Sequence, residues 1–378
     1  MEHTSIDSDV ELYKFHSGAP TSDLYVAASE ELIIKTNNLL SELGFEPLLM
    51  SSLERKSAPD IGEVEKLIGA YSQAIIAKAE TRRDIVALDA DLILDTGLIP
   101  FKEKFPDRFI ECGIAEQDMV SQAGGLALSG LLPIVHSFSC FLSSRPNEQM
   151  YNNATENTKI IYVGSLAGLI PAGPGHSHQA VRDISSISAI PNMVMVAPSC
   201  EYEVTQVMDW AVEDAETSVY VRLYSAPIHN GYKKSKNAPL VVGHGEEAMV
   251  GDDIAIITYG PLMLSLACQA ADALNKKTGK RIGVINLPWL NIVDSEWLKN
   301  ITSKYHNLLS IDDHYSIGGQ GQFLAARLLK ERCNHVNFAH HGLNDTPRCG
   351  TPEEVLHHHG YNPEQLSDYL ITQFSDVL

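Results

Sequence analysis

Short apolar runs that alternate with helical patterns are the feature that most constrains the fold of this chain. The runs are rich in β-branched residues and are apolar at every position, and they lie at residues 85–88, 160–163, 193–196 and 219–221. Strands that are apolar on both faces are typical of a parallel sheet covered by helices. We therefore predict a doubly wound α/β domain.

A second, smaller α/β domain is predicted after a lysine-containing linker at 233–239. Its apolar runs and one helical pattern repeat the α/β alternation, at 253–258, 262–274, 282–285 and 308–311. Before the first domain, residues 24–43 can form an amphipathic helix. The predicted organisation is an N-terminal extension (1–60), a main domain (61–238) and a smaller domain (239–378).

Composition excludes several classes of function. The chain has 378 residues and a formal net charge of −20, which argues against nucleic-acid or anionic-membrane partners, since those need clustered Lys and Arg. No apolar stretch is long enough to span a bilayer, and the N-terminus begins acidic, so we expect a cytoplasmic protein. The six cysteines form no Cys-x-x-Cys pair, which favours neither a zinc site nor a disulfide framework.

Two motifs carry the chemistry. The first is CGIAEQ at 112–117, which places Glu116 between an apolar run and a stretch of small residues, where a loop should enter a buried helix. The second is GPGHSHQ at 173–179. Its two histidines could suggest a metal, but two ligands without a nearby third carboxylate or cysteine do not make a site, and no metal site is predicted.

Together the motifs resemble the pyrimidine-binding half of transketolase-like thiamine diphosphate enzymes. Further segments match this family in its order along the chain, at 88–92, 141–149, 190–199, 317–321 and 350–354. The resemblance covers about residue 61 to the C-terminus. It implies a pyrimidine-binding domain followed by a transketolase-like C-terminal domain.

The family's other half is missing from this sequence. Its diphosphate-binding domain carries Gly-Asp-Gly followed by a distant Asn, whereas here 251–253 read Gly-Asp-Asp and lead into an apolar strand. The resemblance therefore implies a separate N-terminal subunit that holds the diphosphate and Mg²⁺, and an α2β2 heterotetramer. The apolar face at 21–49 would strengthen docking to that partner.

The resemblance also assigns roles to single residues. Glu116 would be the acid that activates the aminopyrimidine by a hydrogen bond to its far ring nitrogen, although a buried glutamate is often only a helix-end or salt-bridge residue. His178 matches the histidine that hydrogen-bonds the donor substrate. We place His176 and Arg145 on the substrate side with it.

Two aromatic residues and one acid complete the expected cofactor site. Phe141 matches the family's stacking residue, at the start of an expected helix over 141–149, and Phe138 is three residues before it. The alternative is that both are core aromatics on one helix face, but the match to the family gives Phe141 the better claim. Asp91 resembles the acid near the cofactor at the subunit boundary, but the segment 89–91 could also cap the next helix.

The positions where transketolases bind the sugar phosphate differ here. Arg, Ser, His, Arg and Asp of the family correspond in order to Ile68, Asp95, Leu166, Leu223 and Pro174. Arg222 would replace one lost cation only if the alignment slipped by one residue. We therefore expect transfer of a two-carbon ketol or acyl unit to an acceptor without a phosphate. The alternatives are the β subunit of a 2-oxo acid dehydrogenase and a non-catalytic structural subunit.

Overall fold

A computed structural model describes residues 22–49, 64–229 and 238–378. Most of the predicted linker, 233–237, lies outside the described residues. The described residues up to Leu49 belong to one compact unit and those from Val64 onward to another. In the first unit the helix α1 is Ser22–Glu42, close to the predicted 24–43, and the amide of Asn37 holds Leu48 through both of its polar atoms.

The second unit begins with a six-stranded parallel sheet. Its strands are β1 (Ile85–Asp89), β2 (Phe109–Glu111), β3 (Leu132–Phe138), β4 (Ile161–Ser165), β5 (Met193–Val196) and β6 (Ser218–Arg222). Their order across the sheet is β2-β1-β3-β4-β6-β5. The accompanying helices are α2 (Leu67–Thr81), α3 (Ile99–Lys104), α4 (Glu116–Leu128), α5 (Ser139–Leu142), α6 (Asn147–Thr155), α7 (Asp183–Ser188) and α8 (Glu201–Glu213). The predicted α/β class is confirmed.

The five-stranded second sheet has the order β11-β10-β8-β9-β7. Its strands are β7 (Glu246–Met249), β8 (Ile254–Thr258), β9 (Ile282–Asn286), β10 (Asn307–Tyr315) and β11 (Asn337–Leu343). Its helices are α9 (Pro261–Thr278), α10 (Ser295–Lys304), α11 (Gln320–Lys330), α12 (Pro352–His358) and α13 (Pro363–Gln373). The edge strand β7 pairs antiparallel with β9, which the sequence patterns did not indicate.

The two sheets are joined through a buried seam. Trp289 bridges to Val196 at the end of β5, and its ring packs edge-on against Trp210 at 4.9 Å. Asn291 receives the backbone N–H of Met195 at 2.9 Å and donates to the carbonyl of Met193 at 2.7 Å. The boundaries 60/61 and 238/239 remain predictions.

One expected element is wrong. The helix expected over 141–149 is interrupted: α5 ends at Leu142 and α6 begins at Asn147, directly after Pro146. Proline disfavours helical conformation in the residue before it, here Arg145, so this arginine lies in a loop. None of the helices within the described ranges is long and apolar enough to cross a membrane.

Candidate active site

Glu116 is the first residue of α4, as the motif predicted, and is 4% exposed. The turn before it uses Gly113 at φ +66°, a conformation that favours glycine. The carboxylate of Glu111 accepts the backbone N–H of Gly113 and that of Asp91, both at 2.9 Å. This acid therefore ties the loops after β1 and β2 together, at the carboxyl edge of the sheet where ligands bind in such folds.

The aromatic pair lies beside His178. Phe138, at the end of β3, is buried, Phe141 on α5 is half-buried, and their ring centroids are 5.7 Å apart. The His178 ring stands edge-on to both, at 6.0 Å from Phe138 and 5.2 Å from Phe141. Leu92 and Leu166 pack against the same apolar cluster. Segments far apart in the sequence thus meet at one place.

Arg145 connects Glu116 to this cluster. Its guanidinium carbon lies 3.8 Å from the centroid of the Phe141 ring, and its Nη1 donates a hydrogen bond to Oε1 of Glu116. The Arg145 side chain is 41% exposed, whereas that of Glu116 is 5% exposed. A line of contacts therefore runs from the buried carboxylate through the arginine and Phe141 to His178.

His176 is placed differently from its neighbour. It is exposed in the loop before His178, and no ring contact or hydrogen bond joins it to the cluster within the described residues. The loop is anchored by Gln179, whose amide donates to the carbonyls of Leu169 and Arg348, both at 3.0 Å. Across the described ranges, no group of three His, Cys, Asp or Glu residues could hold a metal ion.

Asp91 lies in the loop after β1 with φ +62°, a left-handed conformation that aspartate adopts more readily than most residues other than glycine. Its chain neighbour Leu92 belongs to the aromatic cluster, which places the Asp91 backbone at the site. The capping alternative does not describe this segment, because α3 begins only at Ile99. Asp89 instead organises the turn, accepting from the Leu92 N–H at 2.6 Å and from the Thr96 hydroxyl at 2.8 Å.

Sequence reasoning missed a buried polar group behind this loop. Asp89 and His136 are register partners on β1 and β3, and burial raises the pKa of Asp89 to about 7 and lowers the pKa of His136 to about 4. His136 donates from Nδ1 to the Leu88 carbonyl at 2.9 Å and accepts from the Tyr71 hydroxyl through Nε2. In the sequence, the burial of Asp89 was indicated only by its position directly after the apolar run 85–88.

Arg222 is fully buried and holds the segment that follows His178. It donates to Asp183 at 2.8 Å, to Asp313 of β10 at 2.9 Å and to the Ala180 carbonyl at 2.9 Å. Burial opposes its charge, but the two carboxylates raise the pKa of Arg222 well above its usual value. The Arg222 guanidinium is therefore held by these partners and is not available to a ligand. Leu223 beside it is fully buried.

Two protein-family models match this chain, one over each of its two sheet-containing regions. The transketolase pyrimidine-binding domain matches residues 66–225, and the transketolase C-terminal domain matches residues 243–366. A putative transketolase C-terminal section of Methanocaldococcus jannaschii is 30% identical over 305 residues, covering 80% of this chain and 94% of the archaeal protein. The chain belongs to the transketolase family, which uses thiamine diphosphate.

Other relatives are longer. A 1-deoxy-D-xylulose-5-phosphate synthase of Clostridium acetobutylicum is 31% identical over 298 residues, which cover 76% of this chain and 45% of the synthase. The chain thus spans about half the length of such relatives. A split gene transketolase solved as an inactive β4 tetramer superposes with a TM-score of 0.74 at 26% identity, over 83% of this chain and 99% of the other. Leishmania mexicana transketolase shares the fold, with a TM-score of 0.70 at 17% identity over 85% of this chain and 47% of the other.

Proposed function

We propose that this chain is the pyrimidine-side catalytic subunit of a two-component, thiamine diphosphate-dependent transferase that moves a two-carbon ketol or acyl unit. The observation that carries the proposal is the meeting of Glu116, Phe141 and His178 at one edge of the parallel sheet. A protein kept only for structure would not need a buried carboxylate, an aromatic face and a histidine in that arrangement.

The residues present suit a planar, nitrogen-rich ring. Glu116 offers a buried carboxyl group that can share a proton with a ring nitrogen, Phe141 and Phe138 offer aromatic faces, and Asp91 lies in the neighbouring loop after β1. Such stacking contributes about 0.5–1.5 kcal/mol beyond area burial. When bound, thiamine diphosphate supplies a carbon nucleophile and an electron sink for breaking a bond next to a carbonyl. Glu116 would exchange a proton with the ring nitrogen, and His178 would hydrogen-bond the oxygen atoms of the donor.

We propose that a separate chain supplies the diphosphate and Mg²⁺ ligands. Mg²⁺ takes oxygen ligands in octahedral geometry and usually keeps substrate phosphates among them. Similarity to a transketolase C-terminal section and to a split gene transketolase supports a partner that carries the N-terminal half. Two pairs related by a twofold axis would give an α2β2 heterotetramer, with the interface at the cofactor.

The extension is proposed to strengthen that assembly. Apolar side chains are exposed along α1 and the segment after it, among them Tyr25, Ile34, Leu39 and Leu49. Exposed apolar area of this kind is typical of a surface for protein partners. Deleting residues 1–49 should raise the dissociation constant of the co-expressed pair, as light scattering over a dilution series would detect.

For the acceptor, we propose a molecule without a terminal phosphate. Arg222, the one cation that could have replaced a lost phosphate ligand by a shift of alignment, is bound by Asp183 and Asp313. Leu166 packs in the aromatic cluster and offers no charge. Each charge-assisted contact to phosphate is worth about 1.5–3 kcal/mol. Losing the family's two arginines and its histidine, at Ile68, Leu223 and Leu166, would therefore weaken binding of a phosphorylated sugar by several orders of magnitude.

Replacing Glu116 tests the catalytic proposal. Glu116→Gln keeps the shape and removes the exchangeable proton, so turnover by the complex reconstituted with its partner should fall by about 10²–10⁴. Asp118→Asn is the matched control, because Asp118 is an exposed acid in the same first turn of α4. Retention of most turnover by Glu116→Gln at saturating cofactor would contradict the proposal.

A competition assay tests the choice of substrate. We would measure kcat/KM for phosphorylated ketols, unphosphorylated ketols and pyruvate with the reconstituted enzyme. The unphosphorylated compounds should be preferred. The synthases similar to this chain are named for a phosphorylated sugar. A clear preference for xylulose 5-phosphate would contradict the proposed acceptor and would mean that the phosphate site is aligned wrongly or that the partner supplies the cations missing here.

A further inference from the structure

Arg145 makes the two contacts that the proposed function assigns to the cofactor's pyrimidine ring. Its guanidinium lies over the Phe141 ring at 3.8 Å, and its Nη1 donates to the buried carboxylate of Glu116. Its backbone carbonyl accepts from the Gln117 amide at 3.3 Å, so the main chain is anchored while the side chain reaches across the site.

A guanidinium and an aminopyrimidine are alike in the properties that matter at this place. Both are flat, both present N–H groups in the plane of the ring or fork, and both stack on an aromatic face. The guanidinium covers one face of Phe141, and its N–H donates a hydrogen bond to one oxygen of Glu116. Neither that face nor that oxygen can contact the arginine and the pyrimidine ring at the same time. The two therefore compete.

We propose that Arg145 is a placeholder for the pyrimidine ring: it occupies the ring's place in the isolated chain and must swing out when the cofactor binds. This inference rests on the proposed function. It changes the predicted role of Arg145: in the isolated chain the arginine is a positioning residue that pairs with Glu116 and orients its carboxylate, in place of a direct substrate contact.

The environment of Arg145 makes this movement feasible. The arginine lies in the loop between α5 and α6, and its side chain is 41% exposed, so water can solvate the guanidinium once it leaves. Ion pairs open to water on one side are weak. The apparent affinity for the pyrimidine ring is lowered in proportion to the fraction of chains in which Arg145 has left the ring's place. The isolated chain therefore favours the arginine. In the assembled enzyme, the proposed contacts of the partner to the diphosphate would add to the affinity and favour the cofactor.

Binding of 4-amino-2-methylpyrimidine to the full chain, measured by NMR titration, tests this without turnover. Arg145→Ala should bind the probe about tenfold more tightly than the unaltered chain, since the competing group is gone. Arg145→Lys, which keeps the charge but not the flat fork, should lie between them. Arg82→Ala is the matched control and should leave the affinity for the probe unchanged. Arg82 is paired with Asp84 and Glu213 before β1, at the opposite edge of the sheet.

The outcomes separate two failures. Equal or weaker binding by Arg145→Ala, with binding abolished by Phe141→Ala, would overturn the placeholder and leave the pyrimidine site standing. Binding unaffected by Phe141→Ala and Glu116→Gln, or absent from every variant, would overturn the proposed site and the placeholder with it. If Arg145→Ala does not fold, Arg145→Lys decides, because an affinity no higher than that of the unaltered chain contradicts the competition.

Discussion

Arg222 and Arg145 are both paired with carboxylates, and they differ in how firmly they are held. Arg222 is fully buried between Asp183 and Asp313 and also donates to a backbone carbonyl. Arg145 meets one buried carboxylate, Glu116, from a loop in which its own side chain is 41% exposed. The first has several partners and no access to water, whereas the second has one acid and open solvent.

This difference separates a structural charge from a movable one. Removing one member of a buried charged network leaves the others without compensation, which is far more costly than losing an exposed pair. Arg222 joins the first sheet to β10 of the second and fixes the segment after His178, so it cannot move without disturbing both. Arg145 can leave its acid and be solvated. Substituting each arginine separately tests this contrast.

The largest effect is expected at Arg222. Arg222→Met keeps the volume but leaves Asp183 and Asp313 buried without a cation, so the free energy of unfolding should fall by about 3–5 kcal/mol. Urea unfolding followed by circular dichroism measures it. In the Arg222→Met background, Asp183→Asn with Asp313→Asn should recover part of the loss. Should Arg222→Met be nearly neutral, the buried network would not be what joins the two sheets.

Asp89 is a buried acid that is hydrogen-bonded to neutral groups, in contrast to the carboxylates paired with the two arginines. The described hydrogen-bond partners of Asp89 are the Leu92 N–H and the Thr96 hydroxyl, and burial raises its pKa from 3.8 to about 7. In the folded chain this carboxyl keeps its proton at pH values where the unfolded chain has lost it. Its contribution is fully present below pH 4 and is lost as pH rises through 7.

Asp89→Asn should remove that pH dependence. Between pH 5 and 7 the stability of the unaltered chain should fall relative to Asp89→Asn by about 2 kcal/mol, from about 1.4 kcal/mol per pH unit for one proton. Urea unfolding at a series of pH values gives both curves. Parallel curves would mean that Asp89 titrates near its ordinary pKa and is hydrated in the folded protein.

The sequence predicted much of this fold because local patterns carry it. The apolar runs predicted the strands β1, β4, β5 and β6. The small residues after Glu116 predicted that it lies at the start of a helix, here α4. The Arg222 network joins Asp183 to Asp313, residues distant in sequence, and only tertiary packing brings them together. The break before α6 could have been read from Pro146, whose effect on Arg145 is local. That break is what places Arg145 over Phe141.

The smallest effect is expected at Arg145. Arg145→Met should lower the free energy of unfolding by about 1 kcal/mol, because only the Glu116 side of the pair is buried and water already reaches the arginine. Salt should shrink this difference further, since charges open to solvent are screened over about 3 Å at 1 M ionic strength. Unfolding of both variants at 0.1 M and 1 M NaCl would test it, with Arg222→Met as the buried reference whose loss should barely respond to salt. A loss for Arg145→Met as large and as salt-independent as that for Arg222→Met would mean that Arg145 is a fixed part of the structure, and then it could not give way to another group at Glu116.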